Sequence, residues 1–290
     1  FLVEAPDGFK SILRIHREDY HTETAIACEH AWSRSLNEEG GVKTPNILPG
    51  RNGSTIQSAT STALGQKRYL AMFEFVEGSE PDQQDDLTGG FEELGEIAAK
   101  THLHSIDWER PEPFERLVWD LDTVFGKEAT WGNWRDGPNI GQQTREVLEK
   151  VEATVIERLT RYGRGTDRFG LIHADMRLAN LLITKGETRL IDFDDCGLGW
   201  LMYDFAAGIS FMEDDPRIPE LKQAWVQGYR SVRPLSEEDE VEIPTFVMMR
   251  RLALLAWIGS HSEVDIAKEL APTFAPVSEE LGRNYLASLA

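Results

Sequence analysis

The stretch "HADMRLANLLITKGETRLIDFDD", running from His173 to Asp195, constrains this chain more than any other. Two short apolar runs, "NLLIT" and "TRLIDF", flank the glycine-bearing turn "KGE", which is the composition of a β-hairpin. In such a hairpin Asp175 and Asn180 precede the first strand and Asp192 ends the second, so all three gather at one end. Polar residues there can simply cap turns. They also form a set of hard oxygen donors, the type that Mg²⁺ takes together with phosphate oxygens and water, and one aspartate can instead face a substrate hydroxyl. Alternation along the second strand places Asp192 and Asp194 on one face, which makes Asp194 a candidate second ligand and turns Asp195 away.

The rest of the chain reads as strands with one helix, then helices. "FLVEAPDGFKSILRIHR" opens as strand, Asp-Gly turn and strand. In "HTETAIACEHAWSRSL" Ala25, Cys28, Trp32 and Leu36 recur about once per helical turn, with Thr22 as N-cap. "KRYLAMFEFVEGSEP" is a further strand, broken by Gly78 and Pro81 before a helix that carries Leu87, Phe91, Leu94 and Ala98 on one face. A domain boundary is expected near 77–84, dividing the chain into 1–78 and 79–290. Residues 105–139 read as irregular connections with short helices. From 140 an amphipathic helix presents Val147, Val151, Val155, Leu159 and Tyr162 and stops at Gly163. "MYDFAAGISFM", "PELKQAWVQGYRSV" and the segment from Ser236 to His261 are helical in composition. "SEED" suits a capping box, and Pro244 should kink the last helix or mark its true start. The second half is thus expected to be helices enclosing one small hairpin, and the fold class α+β.

At 290 residues the chain can bury a large core without disulfides or structural metals. Cys28 and Cys196 have neither metal-type nor disulfide-type spacing, and a reducing cytoplasmic setting fits them. Cys196 reads as an inert small residue. No apolar run approaches the roughly 18 residues of a membrane span. Thirty basic against fifty acidic residues give a net charge of −20, which argues against a nucleic-acid surface and favours cationic partners or a solubilising shell. Oligomeric state is not legible.

The sets "HADMRLAN" and "IDFDD" resemble the H-x-D-x-x-x-x-N and metal-binding aspartate motifs of the aminoglycoside phosphotransferase and choline kinase family, whose members share the protein kinase fold. The resemblance extends over roughly 1–260. It implies a small N-terminal antiparallel-sheet lobe with one helix that binds nucleotide, and a larger, mainly helical catalytic lobe. It also implies transfer of the γ-phosphoryl group of ATP, or of GTP, to an acceptor hydroxyl. By resemblance, Asp175 accepts or orients the acceptor hydroxyl, while Asn180 and Asp192 hold Mg²⁺ on the β- and γ-phosphates. His173 supports the loop from a buried position, and Asp204 in "YDFAAGIS" braces it through hydrogen bonds. Arg14 in "SILRIHR" stands where the family carries a lysine on the nucleotide phosphates, and Glu29 in "ACEHAW" stands where that lysine's partner is expected. Arginine keeps the charge but not the compact ammonium. "MFEFVEG" resembles the segment between lobes, where the backbone of Glu74, Phe75 and Val76 would meet the adenine and Phe73 would line its pocket. The Gly-rich loop over the phosphates is expected ahead of Phe1.

Phosphoryl transfer rests on positioning and charge neutralisation, so these motifs say little about the acceptor. Candidates lie in the helical half: Glu213, Asp214 and Asp215 after "SFM", Trp131 and Trp134 in "WGNW", and Arg250, Arg251 and Trp257 on the late helix. Acids and aromatics suit an ammonium or aminoglycoside acceptor. Arginines suit a carboxylate, as in a hydroxy amino acid. Each also has a plain reading as solvated turn, core or surface ion pair. A small-molecule kinase is the expected function; a Ser/Thr protein kinase of the same fold and a nucleotide-binding pseudokinase scaffold are the alternatives.

Overall fold

An Asp-Gly turn and a threonine cap set up the first half of the computed structural model, which describes residues 1–60, 65–79, 87–184 and 187–290. Strand β1 (Leu2–Glu4) turns at Gly8, whose φ of +86° suits only glycine without strain, into β2 (Lys10–Ile15). The Thr22 hydroxyl then accepts from the Ala25 N–H at 3.0 Å and starts α1 (Glu23–Glu38), which buries Ala25, Cys28, Trp32 and Leu36. Strands β3 (Ile47–Leu48), β4 (Gln57–Thr60) and β5 (Lys67–Glu74) complete an antiparallel sheet in the order β1-β2-β5-β3, with β4 also on β5. Pro81, expected to end β5, lies outside the described residues. The strand itself stops at Glu74.

Helix α2 (Leu87–Asp107) buries Leu87, Phe91, Leu94 and Ala98, the face its periodicity predicts. The segment expected to be irregular holds β6 (Leu117–Trp119) and α3 (Leu121–Phe125), followed by α4 (Gln142–Tyr162), which ends at Gly163 with φ +79°. Next come β7 (Phe169–Ile172), β8 (Leu181–Thr184), β9 (Glu187–Leu190), β10 (Gly197–Trp200) and α5 (Tyr203–Gly208). Helices α6 (Ile218–Val232), α7 (Glu237–Ser260), α8 (Asp265–Leu270) and α9 (Phe274–Ser288) close the chain. Helix α7 begins at a capping box in which Ser236 and Asp239 satisfy each other's N–H groups, so Pro244 sits inside it and does not mark its start.

The helical half therefore contains more than one hairpin. Strands β8 and β9 pair antiparallel as expected, with Leu181 opposite Leu190, although the turn at Lys185 and Gly186 lies outside the described residues. A second sheet runs β6-β10-β7, with β10 parallel to β6 and antiparallel to β7. Three-residue β6 carries no period, and its parallel partner lies some eighty residues on, so composition alone could not reveal it. This sheet fixes the β10 end of the loop between β9 and β10, and the β8–β9 hairpin holds the other end. Among the described residues no helix is long and apolar enough to cross a membrane.

Helices α2 and α6 cross at glycines. A Cβ added to Gly228 would collide with the carbonyl of Glu92, and one added to Gly95 would meet the carbonyl of Trp225. Backbone cannot yield here as a side-chain tip could. Gly228→Ala is expected to lower unfolding free energy by about 1–3 kcal/mol in urea titration, although alanine is the better helix former.

Candidate active site

The hairpin register brings Asp175, Asn180 and Asp192 to one end. Asn180 ends a single 3₁₀ turn (Leu178–Asn180), and its carbonyl accepts from the Ile191 N–H at 2.9 Å, which continues the ladder to the doorstep of Asp192. The Asn180 Nδ2 donates to the Asp175 carbonyl at 2.7 Å and to Asp175 Oδ2 at 2.9 Å. Arg177 grips both carboxylate oxygens of Asp175, with Nε at 3.0 Å and Nη2 at 3.1 Å, and Arg250 approaches Oδ1 at 3.5 Å. The carboxylate is thereby fixed in plane and held among cations.

Asp204 holds the backbone of this loop. Fully buried on α5, it accepts from the N–H of His173 at 3.1 Å and of Ala174 at 2.7 Å, and pairs with His102 Nε2 at 2.9 Å. Ala174 needs that support, because its φ of +62° is unfavourable for a residue with a Cβ. His173 is buried against Phe193. Its Nε2 meets the Ile191 carbonyl at 3.1 Å, and its Nδ1 accepts from the Asp175 N–H at 3.3 Å.

On the side of the antiparallel sheet, Arg14 joins three acids. It reaches Glu29 Oε1 at 2.6 Å, Asp192 Oδ1 at 2.8 Å and Asp194 Oδ1 at 3.8 Å. Burial disfavours its charge, but the three carboxylates outweigh that and hold its pKa above the ordinary arginine value. Glu29 is buried too, yet Arg14 and Arg116 keep it ionised below the usual carboxylate range. Asp192 is half exposed and turns its backbone through φ +64°.

That turn corrects the alternation expected for Asp194 and Asp195. The strand ends at Leu190, and the left-handed residue at 192 breaks the two-residue period. Asp194 faces the loop after β2, with His16 Nδ1 and His21 Nε2 each 3.5 Å from Oδ1 and Arg17 at 3.4 Å from Oδ2. Burial opposes its ionisation, but His16, Arg14 and His21 overcome this and depress its pKa strongly. Asp195 does not point into solvent. Its Oδ1 accepts from the Tyr20 hydroxyl at 2.6 Å, and burial, then the charge of Asp175, push its carboxyl up to about 6. Burial likewise pushes the Cys196 thiol up to about 12, in keeping with an inert side chain.

A cavity of about 480 Å³ opens beside this cluster, lined by Arg14, Glu29, Phe73, Phe75, Val76 and Asp192 among others. The Glu74 N–H is already bonded to the Asn46 carbonyl at 2.9 Å, and its carboxylate to Arg189 and Asn46. The Glu74 N–H is thus already taken, whereas Phe75 and Val76 follow it along the cavity wall.

Of the acceptor candidates, Arg250 approaches Asp175, and its guanidinium lies 5.0 Å from the Trp131 ring centre. Glu213 does not, because it is buried with Arg251 at 2.5 Å, and Arg251 also binds Ser278 and the Phe274 carbonyl. Trp134 is core and donates to Glu152, Asp215 pairs with Arg217, Asp214 is exposed, and Trp257 packs on Phe211 and His261. Sequence reasoning missed Arg177, two residues from Asp175 inside the quoted motif, where its fork could have been anticipated. It also missed Tyr20 and Arg116, which no local pattern marks. Arg116 donates to the carbonyls of Cys196, Ala25, Phe193 and Asp194.

A sheet lobe with one helix, a larger helical lobe and this aspartate–asparagine–aspartate cluster define a protein-kinase-like phosphotransferase. The sequence model of the Phosphotransferase enzyme family matches residues 1–235, and the chain belongs to that family. The structure of a microcompartment-associated aminopropanol kinase is 40% identical, with a TM-score of 0.92, covering 99% of this chain and 89% of that one. A homoserine kinase of Gluconobacter oxydans (strain 621H) is 26% identical over 246 residues, 79% of this chain and 71% of that protein. An amicoumacin kinase in complex with AMP-PNP, Ca²⁺ and Ami shares the fold at 19% identity and a TM-score of 0.77, covering 96% of this chain and 84% of that one. The chain is a small-molecule kinase acting on an alcohol group, and none of these findings favours the protein-kinase alternative.

Asp204→Ala would strand two backbone N–H groups and His102 in a dry interior. The expected loss is about 3–5 kcal/mol of unfolding free energy, read by urea titration, whereas exposed Asp214→Ala should stay within about 0.5 kcal/mol.

Proposed function

We propose that the chain is an ATP- and Mg²⁺-dependent kinase of small amino alcohols of the aminopropanol type. One observation supports this acceptor above the others: 40% identity across 99% of the chain to an aminopropanol kinase. In this reading residues 1–78 form the nucleotide-binding lobe and 79–290 the catalytic and acceptor-binding lobe. Adenine rests against Phe73 with its edge at Phe75 and Val76. Arg14, steered by Glu29, meets the phosphates.

The donor set fits a hard divalent cation. The Asn180 amide oxygen makes no hydrogen bond among the described residues, Asp192 is half exposed beside it, and both are oxygen donors. Asn180 and Asp192 would hold Mg²⁺, with Asp194 as a further candidate, and the ion would neutralise phosphate charge. Asp175 receives the acceptor hydroxyl and takes its proton. Arg177 and Asn180 fix the direction of its lone pairs for that task.

An ATP-consumption screen against pooled amino alcohols, hydroxy amino acids, sugars and aminoglycosides tests the acceptor. Turnover should be highest with the amino-alcohol pool, and a higher kcat/KM with another pool would refute the assignment. Asp175→Asn should lower kcat by about 100-fold or more while leaving nucleotide affinity nearly intact; the check is turnover beside a fluorescent-nucleotide titration. Arg14→Lys should keep activity, because an ammonium can still bridge Glu29 and phosphate. Arg14→Ala should raise the KM for ATP about tenfold or more, and a kinetically silent Arg14→Ala would remove Arg14 from the phosphate site.

A further inference from the structure

In a vicinal amino alcohol such as 1-amino-2-propanol the amine stands on the carbon next to the hydroxyl. Once that hydroxyl lies on Asp175, the ammonium must sit within a few ångströms of it. A cation enclosed there without an anion would be strongly disfavoured. The anions around the cleft are mostly engaged. Asp175 is gripped by Arg177 and Asn180, Asp192 by Arg14, and Glu213 by Arg251. Asp194 faces two histidines and two arginines.

Asp195 differs. Only its Oδ1 is hydrogen-bonded among the described residues, by Tyr20 at 2.6 Å, and its side chain remains 19% exposed. Arg17, the nearest guanidinium, is 3.9 Å from that same oxygen and stacks on Tyr20. Oδ2 is left with no such partner. Asp195 is also linked to the surroundings of Asp175 through a chain of packed side chains. Its carbonyl accepts from Trp119 Nε1 at 2.8 Å, Trp119 packs on Trp131, and Trp131 lies under the Arg250 that approaches Asp175.

We propose that Asp195 is the specificity residue that receives the acceptor's ammonium on Oδ2, with Tyr20 fixing the carboxylate from the other side. The assignment rests on the amino-alcohol reading given above. A carboxylate built to meet a cation is left unpaired by an amine-free analogue, so the enzyme should select strongly against one.

The test compares 1-amino-2-propanol with 1,2-propanediol, which replaces the amine by a hydroxyl. Asp195→Asn should raise the KM for the amine about 10- to 100-fold, change kcat far less, and leave the KM for ATP unaltered. Preference for amine over diol in kcat/KM should fall by the same factor. Tyr20→Phe, which keeps the carboxylate but loosens it, should lower that preference about threefold to tenfold and decides the matter if Asp195→Asn fails to fold. Preference kept within about twofold in the folded variants, or an equal loss with both acceptors, overturns the role of Asp195 while the amino-alcohol reading stands. Wild-type protein that phosphorylates no amine-bearing acceptor overturns both.

Discussion

A carboxylate that never sees solvent supports the catalytic end of this molecule. Asp204 receives two consecutive backbone N–H groups, of His173 and Ala174, and a histidine, all in a dry interior. An isolated buried charge would be ruinous, but one whose lone pairs are filled by donors is stabilised there, because the low dielectric that raises its desolvation cost also strengthens each bond. Those bonds oblige Ala174 to keep a left-handed backbone. The bend it makes delivers Asp175 to Arg177 and Asn180. Bonds made at α5 thus orient a carboxylate that stands just beyond the brace.

A similar restraint governs the loop between β9 and β10. Asp192, Phe193, Asp194 and Asp195 lie outside any strand, yet each is tied down: Asp192 by Arg14, the carbonyls of Phe193 and Asp194 by Arg116, and the carbonyl of Asp195 by Trp119. One left-handed residue at 192 sends Asp194 to the histidines and Asp195 to Tyr20. Two adjacent aspartates thereby meet consecutive residues, His21 and Tyr20, of the loop after β2.

Much of this was legible in the sequence because it is local. The hairpin, the Thr22 cap, the Ser236 capping box and the helical faces of α1, α2 and α4 follow from patterns a few residues long. The approach of Asn180 to Asp192 follows from hairpin register, while Asp175 owes its place to the bend at Ala174. What stayed hidden is non-local or backbone-specific. Glu213 and Arg251 are partners 38 positions apart, and β6 pairs with a β10 that lies far on along the chain. The positive φ at Asp192 has no compositional marker, since glycine is the residue that usually signals such a turn. Strand alternation was therefore not what placed Asp194 and Asp195, since the strand had already ended, although Asp192 and Asp194 do share Arg14.

The three acids around Arg14 carry a consequence for ligand entry. With Glu29, Asp192 and Asp194 already facing the guanidinium, the pocket presents one cation among three carboxylates and not a bare positive hole. In the proposed reading, an anion that reaches Arg14 would trade places with a carboxylate. Binding is then an exchange of counterions within a fixed enclosure, and its free energy is the small difference between the ion pairs that break and those that form. Such an exchange draws little on long-range attraction, which suits a protein whose net charge of −20 would repel a nucleotide at a distance.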